Sequence, residues 1–416
     1  MKICGLSFIL FQVVTSVFAQ PPEKDAIPLS AEARGLLRLE VLKNANHSDW
    51  IVVRRAIQEM PANNQIGVES LSELIRVPNR LKDSDRGILE VDNVNALASL
   101  ATTHTDELVS LLKDEDSNSE SFKVGLLALG QMGRNAASAI PFLERISADE
   151  HLEAQTKVEL RICLANIGEN SKENLAQIVV ILKRHDDLTD TALWTMAVTR
   201  SRDWPSPGIL DQLKLCLQTA GAADGESVSR SPLAAVIFGN LGTNAAVYAR
   251  VIQSQLKTAK RTAGLEAARI IYNLALARIE THNQQKYVLE VLKLIGRDFG
   301  RAEMAALLLG SFLVDDHIVE MASDAFDKGD VQVRLGICHF CQTIGYSAHL
   351  LSGKLILTVQ KLDNEDLRLA AAKALGPSAT YMQMSSLQRL FKTEASSEVK
   401  KALEASVQNI SLGNKK

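Results

Sequence analysis

The chain has 416 residues, 46% hydrophobic and 23% charged, which is enough apolar material to bury a core along its length and excludes wholesale disorder. Aromatics are 5% and prolines number 10, a balance that favours helices over sheets. A formal net charge of -3, with acidic and basic residues interleaved, gives no field strong enough to hold nucleic acid or anionic lipid.

The first residues, MKICGLSFILFQVVTSVFAQ, carry one Lys, an apolar run from Ile3 to Phe18, and Val17 and Ala19 in the small-residue pattern of a signal peptidase site. The expectation is a signal peptide over 1–19, cleaved after Ala19, and a mature chain exported to the periplasm or secreted. An uncleaved membrane anchor is the competing reading, made weaker by the short apolar run. Residues 20–30 read as a flexible leader with Ser30 as the cap of the first helix, and 412–416 as a frayed tail. Cys4 leaves with the signal; Cys163, Cys216, Cys338 and Cys341 are too few for a disulfide-built scaffold.

From residue 31 to 411 one pattern recurs: an apolar helix ends in a small residue and glycine, a short link follows, and a second apolar helix begins. VVRRAIQEMPANN and NALASLATTHTDELVSLL are eroded early copies, with LKDSDRGILEVD between them as a link. The clearest copy is SFKVGLLALGQMGRNAASAIPFLERI, in which Gly133 closes the first helix and Pro141 stands near the start of the second. The closing glycine returns at Gly168, Gly242, Gly345 and Gly376, at separations of 35, 74, 103 and 31. The two long intervals divide into steps of about 37 and about 34, so degenerate copies belong between the clear ones. ALWTMAVTRSRDW, ARIIYNLALARIE and MAALLLGSFLVDD fill those places, the second followed by KYVLEVLKLIG. The predicted architecture is all-α, a row of about ten antiparallel helix pairs in which each pair leans on its neighbours, because a lone hairpin cannot hide its apolar faces. RSRDWPSPG and AGAADGESVSRS are the links richest in Gly, Ser and Pro, where the stack is expected to be irregular.

Around 128–141 and 362–377 the chain resembles the HEAT-repeat family, in its short phycobilisome-lyase-type form. The Ala-Leu-Gly-x-x-Gly turn followed by AASAIP carries the likeness, as do acidic-then-basic helix entries at Asp49 and Arg54, Asp330 and Arg334, and Asp366 and Arg368. The resemblance implies a right-handed, armadillo-like α-solenoid with ladders of those Asp and Arg residues between adjacent units. A tetratricopeptide array is the alternative by period, but its aromatic and proline signature does not recur.

Catalytic, cofactor and metal residues are predicted to be none. Cys338, His339 and Cys341 in GICHFCQTIG lie inside a helix at apolar positions and read as core. His185, Asp186 and Asp187, and Asp315, Asp316 and His317, read as polar links. Asp83 and Asp85 suggest a calcium loop, but Gly87 is misplaced and the closing Glu is missing. The His-Glu dipeptides of HEAT-like hydroxylases do not occur, and Asn46 and Asn409 sit in Asn-x-Ser sequons. Second helices are expected to line a concave groove. The stripe Ala245, Ala249, Ile252 and Leu256 is expected inward, leaving Arg250, Gln253 and Lys257, and likewise Glu144 and Arg145, outward. The functional expectation is an extracytoplasmic scaffold that binds a protein partner along its surface, without nucleic acid, small-molecule substrate or cofactor. The alternative is a lyase-like or cofactor-handling enzyme with its site in the groove.

Overall fold

The computed structural model describes residues 31–43, 50–60, 67–80, 83–168, 171–200, 206–218, 230–262, 264–297, 299–300, 306–307, 310–361 and 364–411. Among the described residues all regular structure is helical and no helix is long and apolar enough to cross a membrane. The expected signal peptide, leader, Ser30 cap, Asn46, Asp49, tail and most of the two irregular links lie outside the described residues.

In chain order the helices are α1 (Ala31–Lys43), α2 (Trp50–Glu59), α3 (Gly67–Arg80), α4 (Asp83–Ala101), α5 (Thr105–Lys113), α6 (Glu120–Met132), α7 (Ile140–Ser147), α8 (Ala154–Ile167), α9 (Ser171–Arg184) and α10 (Asp187–Val198). They continue with α11 (Pro207–Gln218), α12 (Arg230–Leu241), α13 (Ala249–Arg261), α14 (Glu266–Ile279), α15 (Gln284–Arg297), α16 (Asp316–Lys328), α17 (Val331–Ile344), α18 (Ser352–Lys361), α19 (Glu365–Ser378), α20 (Met384–Thr393) and α21 (Ser397–Ile410). LKDSDRGILEVD is not a link: Asp83 onward is the first half of α4, so the calcium-loop spacing falls on a helix. The MAALLLGSFLVDD copy is described only in part, ending in the short turn Ser311–Leu313.

Local chemistry sets the boundaries. Gly133, Gly168, Gly242 and Gly345 take φ of 57°, 105°, 59° and 66°, a region that glycine alone enters cheaply. Ser119, Asp186, Asp315, Asp330, Asn364 and Ser396 reopen α6, α10, α16, α17, α19 and α21 by accepting first-turn backbone N–H groups. After three of the glycines the link is a seven-residue tight turn, Gly133–Ala139, Gly242–Tyr248 and Gly345–Leu351, whose fourth residue, Ala136, Ala245 or Ala348, is fully buried. Gly376 departs from the expectation. It lies within α19, which runs on through Pro377 to Ser378. A Cβ there would meet Ser406 and Asn409 of α21 at 3.2 and 3.1 Å, so close packing accounts for this glycine.

The pairs form two layers. Helices α2, α4, α6, α8, α10, α12 and α14 pack side by side in that order; α17 packs on α15, and α17, α19 and α21 pack side by side in turn. The partner layer holds the second helices, with α9, α11 and α13 adjacent to one another, and α18 adjacent to α20. First helices are apolar nearly all round: α12 buries every residue from Ser231 to Asn240, whereas α13 buries Ala249, Ile252, Leu256 and Ala259. Each buried Leu or Ile contributes roughly 1.5–3 kcal/mol, so the hairpins gain their stability from one another. The inner layer is therefore made by the first helices, not by the second helices as the sequence suggested. On this side Trp194 of α10 reaches Glu90 of α4 across the two helices between them.

The two ends of the row meet. Helix α2 packs against α19, α21 and the turn after α17. Arg55 donates to the carbonyls of Gly376 (2.7 Å) and Ala379, and Gln58 donates to the carbonyl of Ile344 while accepting from the Tyr346 N–H at 2.8 Å. Gly376 and Ala379 stand at the end of α19 and Ile344 at the end of α17, so side chains of the first units cap the last ones.

Candidate functional site

The residues singled out in the sequence do not converge. Cys338 and Cys341 are buried in the core of α17, and burial pushes the Cys338 thiol up to about 12. His339 stacks on Phe299 at 4.4 Å, and burial lowers its pKa. Asp186 and Asp315 are helix caps, the first also paired with Arg184 and the second with Arg278. His185 turns the chain at φ 54° and its carbonyl accepts from Arg230. Asn409 lies in α21. Among the described residues no group of three or more His, Cys, Asp or Glu is arranged to hold a metal.

The charged helix entries behave variously. Arg54 pairs with Asp92 of the next first helix at 2.5 Å, and Arg230 with Asp190 at 2.6 Å, each a rung between units. Asp330 instead caps its own helix, Arg334 donates to the carbonyl of Asp327, and Arg368 pairs with Glu394. On the outer layer Arg250 and Lys257 are exposed, as are Glu144 and Arg145. Gln253 is not outward: it donates to Glu280, which also accepts from the Tyr287 hydroxyl at 2.6 Å.

The polar groups that do converge lie on α4, α6, α8 and α10 of the inner layer, with α3 of the partner layer beside α4 and α6. Their origin is a proline. Pro78 lies inside α3 and has no N–H, so the carbonyl of Leu74 one turn earlier loses its helical donor. The Asn93 side chain, 1% exposed, supplies the missing bond from Nδ2 at 2.8 Å. Its amide orientation is thereby fixed, and Oδ1 is left buried without a donor among the described residues. Beside it opens a recess of about 290 Å³, counting its mouth, walled by Val77, Pro78, Leu89 and Val124 and edged by Glu90 and Glu120.

Four carboxyls gather here. Glu90 is half-buried and accepts from the Trp194 indole N–H at 3.4 Å. Glu159, 9% exposed, projects from α8, and its Oε2 is buried with no hydrogen bond. Glu120 opens α6, and Glu153 is the residue before α8. Lys123 lies 3.6 Å from Glu120 and 3.8 Å from Glu153. Burial pushes the Glu90 carboxyl up to about 7; Trp194 and Lys123 oppose that rise and Glu120 adds to it. Burial also carries Glu159 to about 7, against Lys123 and with help from Glu90, Glu120 and Glu153. An excess of carboxyl over ammonium, half-withdrawn from water, favours an added cation.

Sequence reasoning missed this cluster. Its one signal was Glu159, which sits between Thr156 and Cys163 on the apolar face of AQTKVELRICLANI, where a solvated glutamate does not belong. Glu90 and Trp194 are 104 residues apart, and no local spacing joins them. No protein-family model matches the chain, and no curated protein matches its sequence.

Proposed function

We propose that the chain is an exported HEAT-like α-solenoid, its signal peptide removed after Ala19, that holds a protein partner on its surface at the inner-layer recess. The stepwise packing of helix pairs, the left-handed closing glycines and the recurring seven-residue turn support the solenoid reading. The observation that carries the binding role is the recess itself. Its walls come from α3, α4 and α6, and among the described residues four carboxyls and one ammonium, Lys123, stand at its edge. The two carboxyls near 7 also suit proton transfer, which keeps a lyase-like enzyme as the second reading.

Crosslinking mass spectrometry of the chain in its native host tests the first reading. The expected result is a recurrent protein partner whose crosslinks fall on the inner layer around Lys123, with the chain's own N-terminus at Gln20. Crosslinks scattered over the outer layer, with no protein recovered twice, would sink it.

A further inference from the structure

Resting on the scaffold reading but not on the recess, we infer that the outer face of α13 and α15 is a second docking face, for an acidic helix of a protein. Helix α13 carries Arg250, Lys257, Lys260 and Arg261 and no acidic residue, and α15 carries Lys286, Lys293 and Arg297 against Glu290 alone. In a chain whose formal charge is -3, cations are concentrated here rather than interleaved. Gln253 meets Tyr287, and Lys260 lies 4.0 Å from Glu290, so the two helices stand side by side and run the same way. Arg250, Lys257 and Arg261 are spaced by seven and then four residues, and Lys286, Lys293 and Arg297 repeat that spacing 36 residues later. Steps of seven and four return to one side of a helix, so each triplet forms a stripe, and all six side chains are exposed. The rung arginines Arg54 and Arg230 are answered by Asp92 and Asp190, but among the described residues Lys260 alone of these seven cations has a carboxylate in ion-pair range.

The spacing separates this occupant from other polyanions. It sets the cations about 10 Å and then about 6 Å apart along each helix axis. A partner helix with Glu or Asp at i, i+7 and i+11 offers carboxylates at the same unequal steps, whereas the phosphates of a nucleic acid strand are evenly spaced. Single strands also stack on aromatic platforms, and neither α13 nor α15 exposes an aromatic ring. A lipid surface takes up apolar side chains beside the cations, but the exposed residue between Arg250 and Lys257 on their stripe is Ser254. Its short side chain leaves the face open to a close-lying helix. Complementary charge of this kind governs partner choice and encounter rate.

The test uses the full mature chain and two labelled alanine-based helical peptides of one composition, read by fluorescence anisotropy at low salt. The first carries Glu at i, i+3, i+7, i+10, i+11 and i+14, on one side of the helix; the second spreads the same Glu residues all round it. The first is expected to bind, and the second about tenfold or more weakly. Lys257→Glu combined with Lys293→Glu is expected to weaken the first peptide about tenfold or more. Lys183→Glu combined with Lys401→Glu changes the net charge equally on other helices and is expected to leave binding within about twofold. Circular dichroism of both double variants should match the parent. Equal binding of the two peptides, equal loss in the two double variants, or tighter binding of duplex DNA or phosphatidylglycerol vesicles than of the first peptide would overturn the docking face. A native partner crosslinked at the inner layer, with peptide binding indifferent to Lys257→Glu and Lys293→Glu, refutes this face and spares the scaffold. Peptide binding that is lost in that variant, with no native protein recovered, refutes the scaffold instead.

Discussion

Glu159 shows how one residue can tie the stability of the chain to pH. Its carboxyl is lifted to about 7 mainly by burial, with Glu90, Glu120 and Glu153 adding to the effect and Lys123 opposing it. The folded state thus keeps a proton that the unfolded chain gives up near pH 4.5. The sign is that of a raised carboxyl: its contribution is complete below about 4.5 and declines as pH climbs towards 7. Glu90 acts in the same direction. Thermal midpoints are therefore expected to fall between pH 5 and pH 8. Glu159→Gln should melt with the parent at pH 5 and above it at pH 8; parallel curves across that window would show that the carboxyl remains solvated. Arg55 is a different case, a buried charge met by a carboxylate and two carbonyls. It pairs with Glu59 at 2.8 Å, Glu59 pairs in turn with Arg38, and two carbonyls of the last units each accept from one of its terminal nitrogens. Arg55→Met strips a partner from a buried network, and equilibrium denaturation should show a loss of about 3–5 kcal/mol. A loss below 1 kcal/mol would mean that water replaces the guanidinium.

At the scale of elements, much was legible because helix chemistry is local. Gly133, Gly168, Gly242 and Gly345 mark helix ends through a backbone need that any reading of the chain can detect, and so do the caps at Asp186, Asp315 and Asp330. The stripe Ala245, Ala249, Ile252 and Leu256 is buried as its periodicity required. Which layer faces inward was not legible, since it depends on curvature summed over several units. The recess was hidden for a related reason: Pro78, Asn93 and Glu159 belong to three helices, and only their packing makes a proline in one create the acceptor in another. Packing also gives glycines a second meaning that sequence confuses with the first. At the α15–α17 crossing, a Cβ on Gly336 would overlap the Leu292 carbonyl and one on Gly296 the Gln332 carbonyl. Gly353, near the start of α18, has nothing within 4 Å of the same position. Gly336→Ala is expected to destabilise by about 1–3 kcal/mol through forced separation of the two helices. Gly353→Ala should be neutral or stabilise by up to about 1 kcal/mol through helix propensity. Urea denaturation of the pair checks both signs, and equal effects would remove the crossing as the cause.

For the whole molecule the meeting of its ends changes what cooperativity means. In an open row of repeats each unit answers to its neighbours, and a disturbance in an early unit fades before it reaches the last. Here Gln58 holds the turn after α17 by two hydrogen bonds across nearly the full chain, accepting from the Tyr346 N–H, 288 positions away, and donating to the Ile344 carbonyl. Gly345, in the left-handed region between them, would place a Cβ against the same Gln58 side chain. Removing the side chain takes away both bonds at this end-to-end contact, together with the one that Gln58 donates to Asp92 of α4 at 3.0 Å, and touches nothing from α6 to α16. Gln58→Ala is accordingly expected to speed hydrogen exchange of the Tyr346 amide at least tenfold and to loosen α19, which packs on both α17 and α2, while the amides of α12 and α14 exchange as before. A loss of protection that instead spreads from α2 to α4 and α6 and leaves Tyr346 untouched would show an open row whose ends do not hold one another.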